Sequence, residues 1–342
     1  LLGFVLLLPS PVHANPLFLW TLDVALGHDD EILADPLQLG IVCPVSDAFM
    51  SGSSRFLLRW ADLKSDHRLD LLADVGGVVY GDKVEGGDTE LEGTIAYRRR
   101  LFDPLALDLS ASGAWFRRDE QAEGEPVFDQ DLYGIESRLG WALGSDWVIA
   151  GGGRYDWARY PGRELEETEE KEKQEQGTAL LSCARRFGVR DRITAEFLYR
   201  RLESNVFTSD FDGPTAVIRA KLSLFRFNLT PAVVYGHRSF DSFLTEDSLD
   251  TREDDSWQYG LSVVRPLSPR LSVFADGSFL HQVSNVSDFD FDEARVSAGF
   301  AFELVSSRTS ETVLTRPPVR KLAPQITPSG VRFRYTDSGA QN

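Results

Sequence analysis

The sequence predicts an all-β fold: a closed antiparallel transmembrane barrel of about fourteen strands with both termini on the periplasmic side. Three features predict it. Apolar residues alternate with a period of two in segment after segment. The connections between those segments alternate long and short. Aromatic residues gather at the segment ends.

The alternation is plainest in ARVSAGFAFEL (294–304). Ala294, Val296, Ala298, Phe300, Phe302 and Leu304 are apolar, and Arg295, Ser297, Gly299, Ala301 and Glu303 lie between them. In a strand, successive side chains point to opposite faces, so this is a strand with a different solvent on each side. Residues 69–79, 105–115 and 147–157 repeat the pattern, with Asp70 and Asp74, Asp108 and Ser110, and Arg154 and Asp156 on the polar face. Segment cores fall near 17–27, 54–62, 68–80, 90–101, 105–117, 131–143 and 146–158. They continue at 177–187, 191–202, 214–224, 226–238, 256–265, 270–282 and 293–304. Most reach the roughly 9–11 residues that a tilted strand needs to cross a bilayer.

Long connections are expected at 28–53, 81–89, 118–130, 159–176, 203–213, 239–255 and 283–292. Short ones centre on 64–66, 103–104, 144–145, 188–190, Phe225 and 268–269. A Greek-key sandwich has no reason to sort its loops by parity, whereas an outer-membrane barrel has short periplasmic turns and longer extracellular loops. The long connections are also acidic: ELEETEEKEKQEQ (164–176) carries seven Glu, and 239–255 carries seven acids. Neither has the spaced ligands and central Gly of a calcium loop. Trp20, Trp60, Trp115, Tyr133, Trp141, Trp147, Trp157, Phe187, Tyr235, Trp257 and Phe279 lie near segment ends, as the girdles of a membrane barrel do.

Of the 342 residues, 42% are hydrophobic, and the mean hydropathy of −0.22 argues against an α-helical membrane protein. LLGFVLLL (1–8) is too short to span a bilayer. With PSPVHA after it, it reads as the apolar core and cleavage site of a signal peptide (1–14), truncated at its N-terminus, with a buried strand as the alternative. The barrel is then expected over 15–304, followed by a Pro-rich periplasmic tail, 305–342. Cys43 and Cys183 make no disulfide framework, and Cys183 alternates with Ala179 and Leu181 as a small hydrophobe. A net charge of −17 argues against nucleic acid as a partner.

Charges of both signs sit on the polar faces. The lumen-lining positions are read as Asp70, Asp74, Glu92, Arg98, Arg100 and Asp108, then Glu136, Arg138, Arg154 and Asp156, then Glu196, Arg200, Arg219, Lys221, Asp276 and Arg295. A lattice of ion pairs stiffening the wall and a selective pore both fit, and the two can coexist. Catalysis finds no support. His237 and Ser239 share a face, but at the outer rim, where polar residues are ordinary. There is no metal-ligand spacing, phosphate loop or nucleotide fingerprint, so no catalytic, metal or cofactor residue is assigned. SNVFTSDFD (204–212) and SNVSDFDFD (284–292) echo each other, through duplicated hairpins or shared turn chemistry.

SAGFAFEL (297–304) is similar to the assembly signal of bacterial outer-membrane barrels, with Ser297, Gly299, Phe302 and Leu304 in its four positions. The resemblance implies residence in the outer membrane of a Gram-negative bacterium. It also implies contact with membrane lipid and lipopolysaccharide, and insertion by the barrel-assembly machinery. TLDVALGHDDEILADP (21–36), residues 252–255 and SNVSDFDFDEARVSAGF (284–300) resemble the barrel part of surface lipoprotein assembly modifiers, without the helical-repeat domain of those proteins. That family implies a fourteen-stranded barrel and a role in bringing client lipoproteins to the cell surface. The expected function is therefore a transport or export channel, with a diffusion porin or a non-conducting binding barrel as alternatives. The tail carries four prolines in TRPPVRKLAPQITPSG and is basic (Arg308, Arg316, Arg320, Lys321, Arg332, Arg334). GVRFRY (330–335) is its one piece able to form a short strand.

Protease applied to intact cells should cut within 159–176 or 239–255 and leave the C-terminus uncut. Loss of the tail from outside would reverse the topology.

Overall fold

The computed structural model describes residues 15–32, 45–62, 67–81, 86–120, 128–164, 171–187, 191–205, 210–244, 251–286, 290–306, 320–327 and 330–336. Seven strands make the first half of the chain: β1 (Asn15–Ile32), β2 (Val45–Asp62), β3 (His67–Tyr80), β4 (Gly86–Phe102), β5 (Leu105–Glu120), β6 (Phe128–Leu143) and β7 (Trp147–Glu164). Seven more follow: β8 (Lys171–Phe187), β9 (Asp191–Ser204), β10 (Phe211–Leu224), β11 (Phe227–Leu244), β12 (Thr251–Ser268), β13 (Leu271–Ser284) and β14 (Phe291–Ser306). Each pairs antiparallel with its sequence neighbours, and β14 returns to β1, closing a fourteen-stranded barrel. Closure lets the ladder satisfy its backbone hydrogen bonds internally, as lipid requires. β1 begins and β14 ends on the same side, that of the short turns.

The registers fix which side chains share a face. Thr21 lies opposite Arg55, Arg55 opposite Asp74, and Asp74 opposite Glu92. This face stays polar round the barrel and returns through Glu303, which pairs with Thr21. The other face is apolar and bare: Leu26, Val79, Ile218 and Val296 are all more than half exposed. It carries two aromatic levels. Toward the long connections stand Trp115, Tyr133, Trp157, Tyr235 and Trp257, with Tyr133 on Trp157 at 5.8 Å and Tyr235 on Trp257 at 4.8 Å between centroids. Toward the short turns stand Trp60, Trp141, Trp147, Phe187 and Phe227, with the Arg185 guanidinium 5.1 Å from the Trp147 ring. Girdles of this kind sit at the two membrane interfaces. The upper one ends in polar contacts: Tyr155 donates to Glu175, Tyr199 to Asp212 and Tyr235 to Asp255.

Strands continue beyond that girdle, which corrects the expected loop boundaries. β8 starts at Lys171, inside the acidic stretch read as a loop, and β11 and β12 take up all of 239–255 but 245–250. The alternation persists there with polar side chains on both faces, which periodic hydrophobicity cannot reveal. Gln174 and Gln176 face inward and are buried. The parity of the connections holds. The described turns at 103–104, 144–146, 225–226 and 269–270 are tight, and Gly144 supplies a left-handed φ of 67° in one of them.

The two Ser-Asn-Val echoes share their turn chemistry. Asn205 Oδ1 accepts from the Lys173 amide at 2.7 Å and Asp210 Oδ1 from the Ser204 amide at 2.5 Å. Asn285 Oδ1 accepts from the Glu253 amide at 2.8 Å and Asp290 Oδ1 from the Ser284 amide at 2.5 Å. In both, the Asn side chain extends the ladder past the strand end while the Asp holds the loop.

Of the assembly-signal residues, Phe302 and Leu304 point outward, and Ser297 and Gly299 point inward. A Cβ on Gly299 would stand 2.0 Å from the Val24 carbonyl oxygen and 2.8 Å from the Phe274 ring. Gly27, across the same seam, does the same for Phe49, whose ring would lie 2.3 Å from a Cβ. The tail forms a hairpin apart from the barrel, β15 (Arg320–Thr327) with β16 (Gly330–Thr336). The register shifts between Lys321 and Pro324.

Gly299→Val should cost folding about 1–3 kcal/mol, since the added atoms meet backbone that cannot give. Ala298→Val, facing lipid, should fold normally. Heat-modifiable migration of the two variants in detergent checks this, and equal behaviour would contradict the seam.

Candidate functional site

All twelve of the predicted lumen residues that lead the expectation lie on the inner face by register: Asp70, Asp74, Arg98, Arg100, Asp108, Glu136, Arg138, Arg154, Asp156, Glu196, Arg200 and Arg219. Many are in ion pairs. The Arg98 fork meets Asp108 at 2.5 and 2.7 Å. Arg154 meets Asp156 at 2.7 Å, and Arg138 bonds Glu136. Asp70 joins Arg59 at 2.8 Å and also Arg68, and Asp74 takes Arg55 at 2.8 Å. Arg100 reaches the exposed turn residue Asp103, at 3.3 Å. Arg55, Arg59 and Arg68 were not among the expected lumen residues. The alternation of RFLLRW (55–60) held the signal for the first two.

These pairs run along the wall, within one strand or between adjacent strands, and do not bridge the barrel. Most of the side chains in them are half-buried, about a third exposed at Arg98 and Asp108, while Asp156 is buried.

The inner face is packed at the long-connection end. Gln130 donates to the Tyr160 hydroxyl at 3.0 Å, which donates to Gln174 Oε1 at 3.0 Å, tying β6, β7 and β8. Tyr160 is fully buried. On the far side Asp254 accepts the Arg252 fork at 2.9 and 2.7 Å, with Arg238 at 3.8 Å. Arg238 also donates to Gln282 at 2.5 Å, and Arg252 lies 4.3 Å over the Phe240 ring. These residues belong to a stretch read as loop, and only their register reveals them as lining.

On β8, β9 and β10 the balance of charge differs. Arg186 is directly opposite Arg192, and Arg192 directly opposite Lys221. Arg219 and Arg200 share that face, and Glu196 is the acid among its described side chains.

The outer rim holds His237, 3.1 Å from Asp255 through Nδ1, and His281, 2.6 Å from Asp292. Among the described residues, no group of three or more His, Cys, Asp or Glu side chains is arranged to hold a metal. Cys183 is a free thiol on the outward face.

A closed even-stranded barrel with an apolar belt between aromatic girdles and a charged interior defines an outer-membrane β-barrel. No family model and no curated protein matches the chain. Solved structures do. A TodX monoaromatic hydrocarbon channel (deltaS2 mutant) aligns with a TM-score of 0.47 at 11% identity over 86% of this chain and 90% of that one. OmpT, an outer membrane protein of Vibrio cholerae, gives 0.46 at 10% over 86% and 99%. An anion-selective porin from Comamonas acidovorans gives 0.42 at 11% over 85% and 100%.

Asp254→Ala should destabilise the barrel by about 3–5 kcal/mol, because it removes the buried carboxylate that the Arg252 and Arg238 guanidinium groups face. Asp103→Ala, removing an exposed pair, should cost at most about 1 kcal/mol. Urea unfolding in detergent micelles measures both.

Proposed function

We propose that the barrel is a channel of a Gram-negative outer membrane for small hydrophilic solutes. The observation that carries this is the direction of the ion pairs. Charges paired around a wall leave the middle of a fourteen-stranded barrel to water, whereas charges paired across it would fill it. The half-exposed Arg98, Asp108 and Arg138 support the same reading. The buried side chains around Tyr160 then mark the narrow end, toward the long connections. On this reading β14 is the strand the barrel-assembly machinery engages, and lipid and lipopolysaccharide cover the outer belt.

A second reading is export of surface lipoproteins. Its support is the placement of the segments that carry the family resemblance. The strand residues described within 21–36, 252–255 and 284–300 belong to β1, β12, β13 and β14, which are consecutive around the barrel. That single wall is where a client would be handled.

Purified protein in planar lipid bilayers should give stepwise conductance. A silent protein that nevertheless brings a co-expressed lipoprotein to the cell surface would favour the export reading instead.

A further inference from the structure

We propose that the outward rim of the barrel at the short turns binds the phosphate of an anionic phospholipid, with Arg185 at the centre of the site and Arg99 and Arg265 repeating the contact around the barrel. Register places all three on the lipid-facing side. Arg99 lies opposite Leu107, Arg185 opposite Trp147 and Ile193, and Arg265 opposite Val273. Each stands within three residues of the end of its strand, Phe102 in β4, Phe187 in β8 and Ser268 in β12. These strands run toward the short turns, so the three guanidinium groups lie near the level of the lower aromatic girdle. All three side chains are exposed, and among the described residues none belongs to an ion pair.

The two girdles differ in charge. At the long connections carboxylates close the upper one: Glu175, Asp212 and Asp255 accept the Tyr155, Tyr199 and Tyr235 hydroxyls, and Asp292 faces His281. At the short turns the outward or turn carboxylates described are engaged elsewhere. Asp103 pairs with Arg100, Asp146 accepts from the Ser145 hydroxyl, and Asp191 accepts from the Ser223 amide. In a chain of net charge −17 the cations of the lower rim are thus the ones that look outward for a counter-charge.

The Arg185 site is built for an acceptor. Its guanidinium carbon lies 5.1 Å from the Trp147 ring centroid and 4.9 Å from that of Phe187. Arg265 stands 5.5 Å from the Phe227 ring in the same way. Stacking uses the faces of a guanidinium and fixes its plane, while the N–H donors lie in that plane and match phosphate oxygens as a fork. The methylene stem can follow hydrocarbon while the charge reaches the interface, where lipid phosphates lie. A zwitterionic lipid brings its own cation to that place and an anionic one does not, so the rim favours the anionic lipid. The inference does not depend on whether the lumen conducts.

The test is native mass spectrometry of the full chain released from detergent micelles that contain equal amounts of dioleoylphosphatidylglycerol and dioleoylphosphatidylcholine. The glycerol lipid should be retained on the order of tenfold more than the choline lipid. Arg185→Gln with Arg265→Gln should bring the ratio close to one while heat-modifiable migration still reports a folded barrel. Should the double variant fail to fold, Arg185→Gln alone makes the comparison and should lower the ratio about fivefold. Equal retention of the two lipids by the unmodified protein, or a preference that survives loss of these arginines, would overturn the inference. Displacement of the lipid by inorganic phosphate at matched concentration would overturn it too, since the rim would then hold an ion and not a lipid.

Discussion

Everything in this molecule depends on one closure. A strand in hydrocarbon cannot leave its backbone N–H and C=O groups unpaired, because each unsatisfied group costs several kcal/mol there, of the order set by transfer into an apolar medium. Thirteen of the strand pairings come from hairpins between sequence neighbours, and the fourteenth, β1 with β14, must bring the two ends of the barrel together. The sequence prepares that seam on both strands. Gly27 and Gly299 leave room for the Phe49 and Phe274 rings, which lie across the inner surface where a side chain would otherwise meet backbone. Ala25 and Ala301 are small and buried on the inner side of the same seam.

Closure then dictates chemistry. Once the outer face must be apolar, the polar residues of an alternating strand have only the interior to occupy, and the interior has to supply their partners. In the short-turn half those partners include neighbours on the wall, as Arg59 with Asp70 and Arg98 with Asp108 show. In the long-connection half two buried polar groups form, Gln130 with Tyr160 and Gln174 on β6–β8, and Asp254 with Arg238 on β11 and β12.

Much of this was legible in the sequence. Fourteen alternating segments, the parity of their connections and the faces of Asp70, Arg98 and Arg154 follow from a period of two, because the hydrocarbon outside imposes a strict apolar code. Above the upper girdle that code lapses. Water lies on both sides there, so Gln174, Glu175 and Gln176 alternate between faces without any change in polarity, and the strands look like loops. Pair partners were also hidden, since the meeting of Arg154 with Asp156 or of Arg252 with Asp254 depends on rotamers. So was the role of Gly299, which belongs to an outward-reading motif yet acts on the inner face. The Asn and Asp of the two echoes, by contrast, carried their turn chemistry openly.

The closure itself can be measured directly. In a protein whose native cysteines Cys43 and Cys183 are replaced by Ser, Leu26→Cys and Ala298→Cys place thiols on directly opposed, outward-facing residues of β1 and β14. A short bifunctional thiol reagent applied to the folded protein in micelles should join them within one chain, at high yield, giving a monomer that no longer expands when heated. Cross-linking only between chains, or none in a protein that has folded, would mean that β1 and β14 do not meet and that the barrel is not the closed one described.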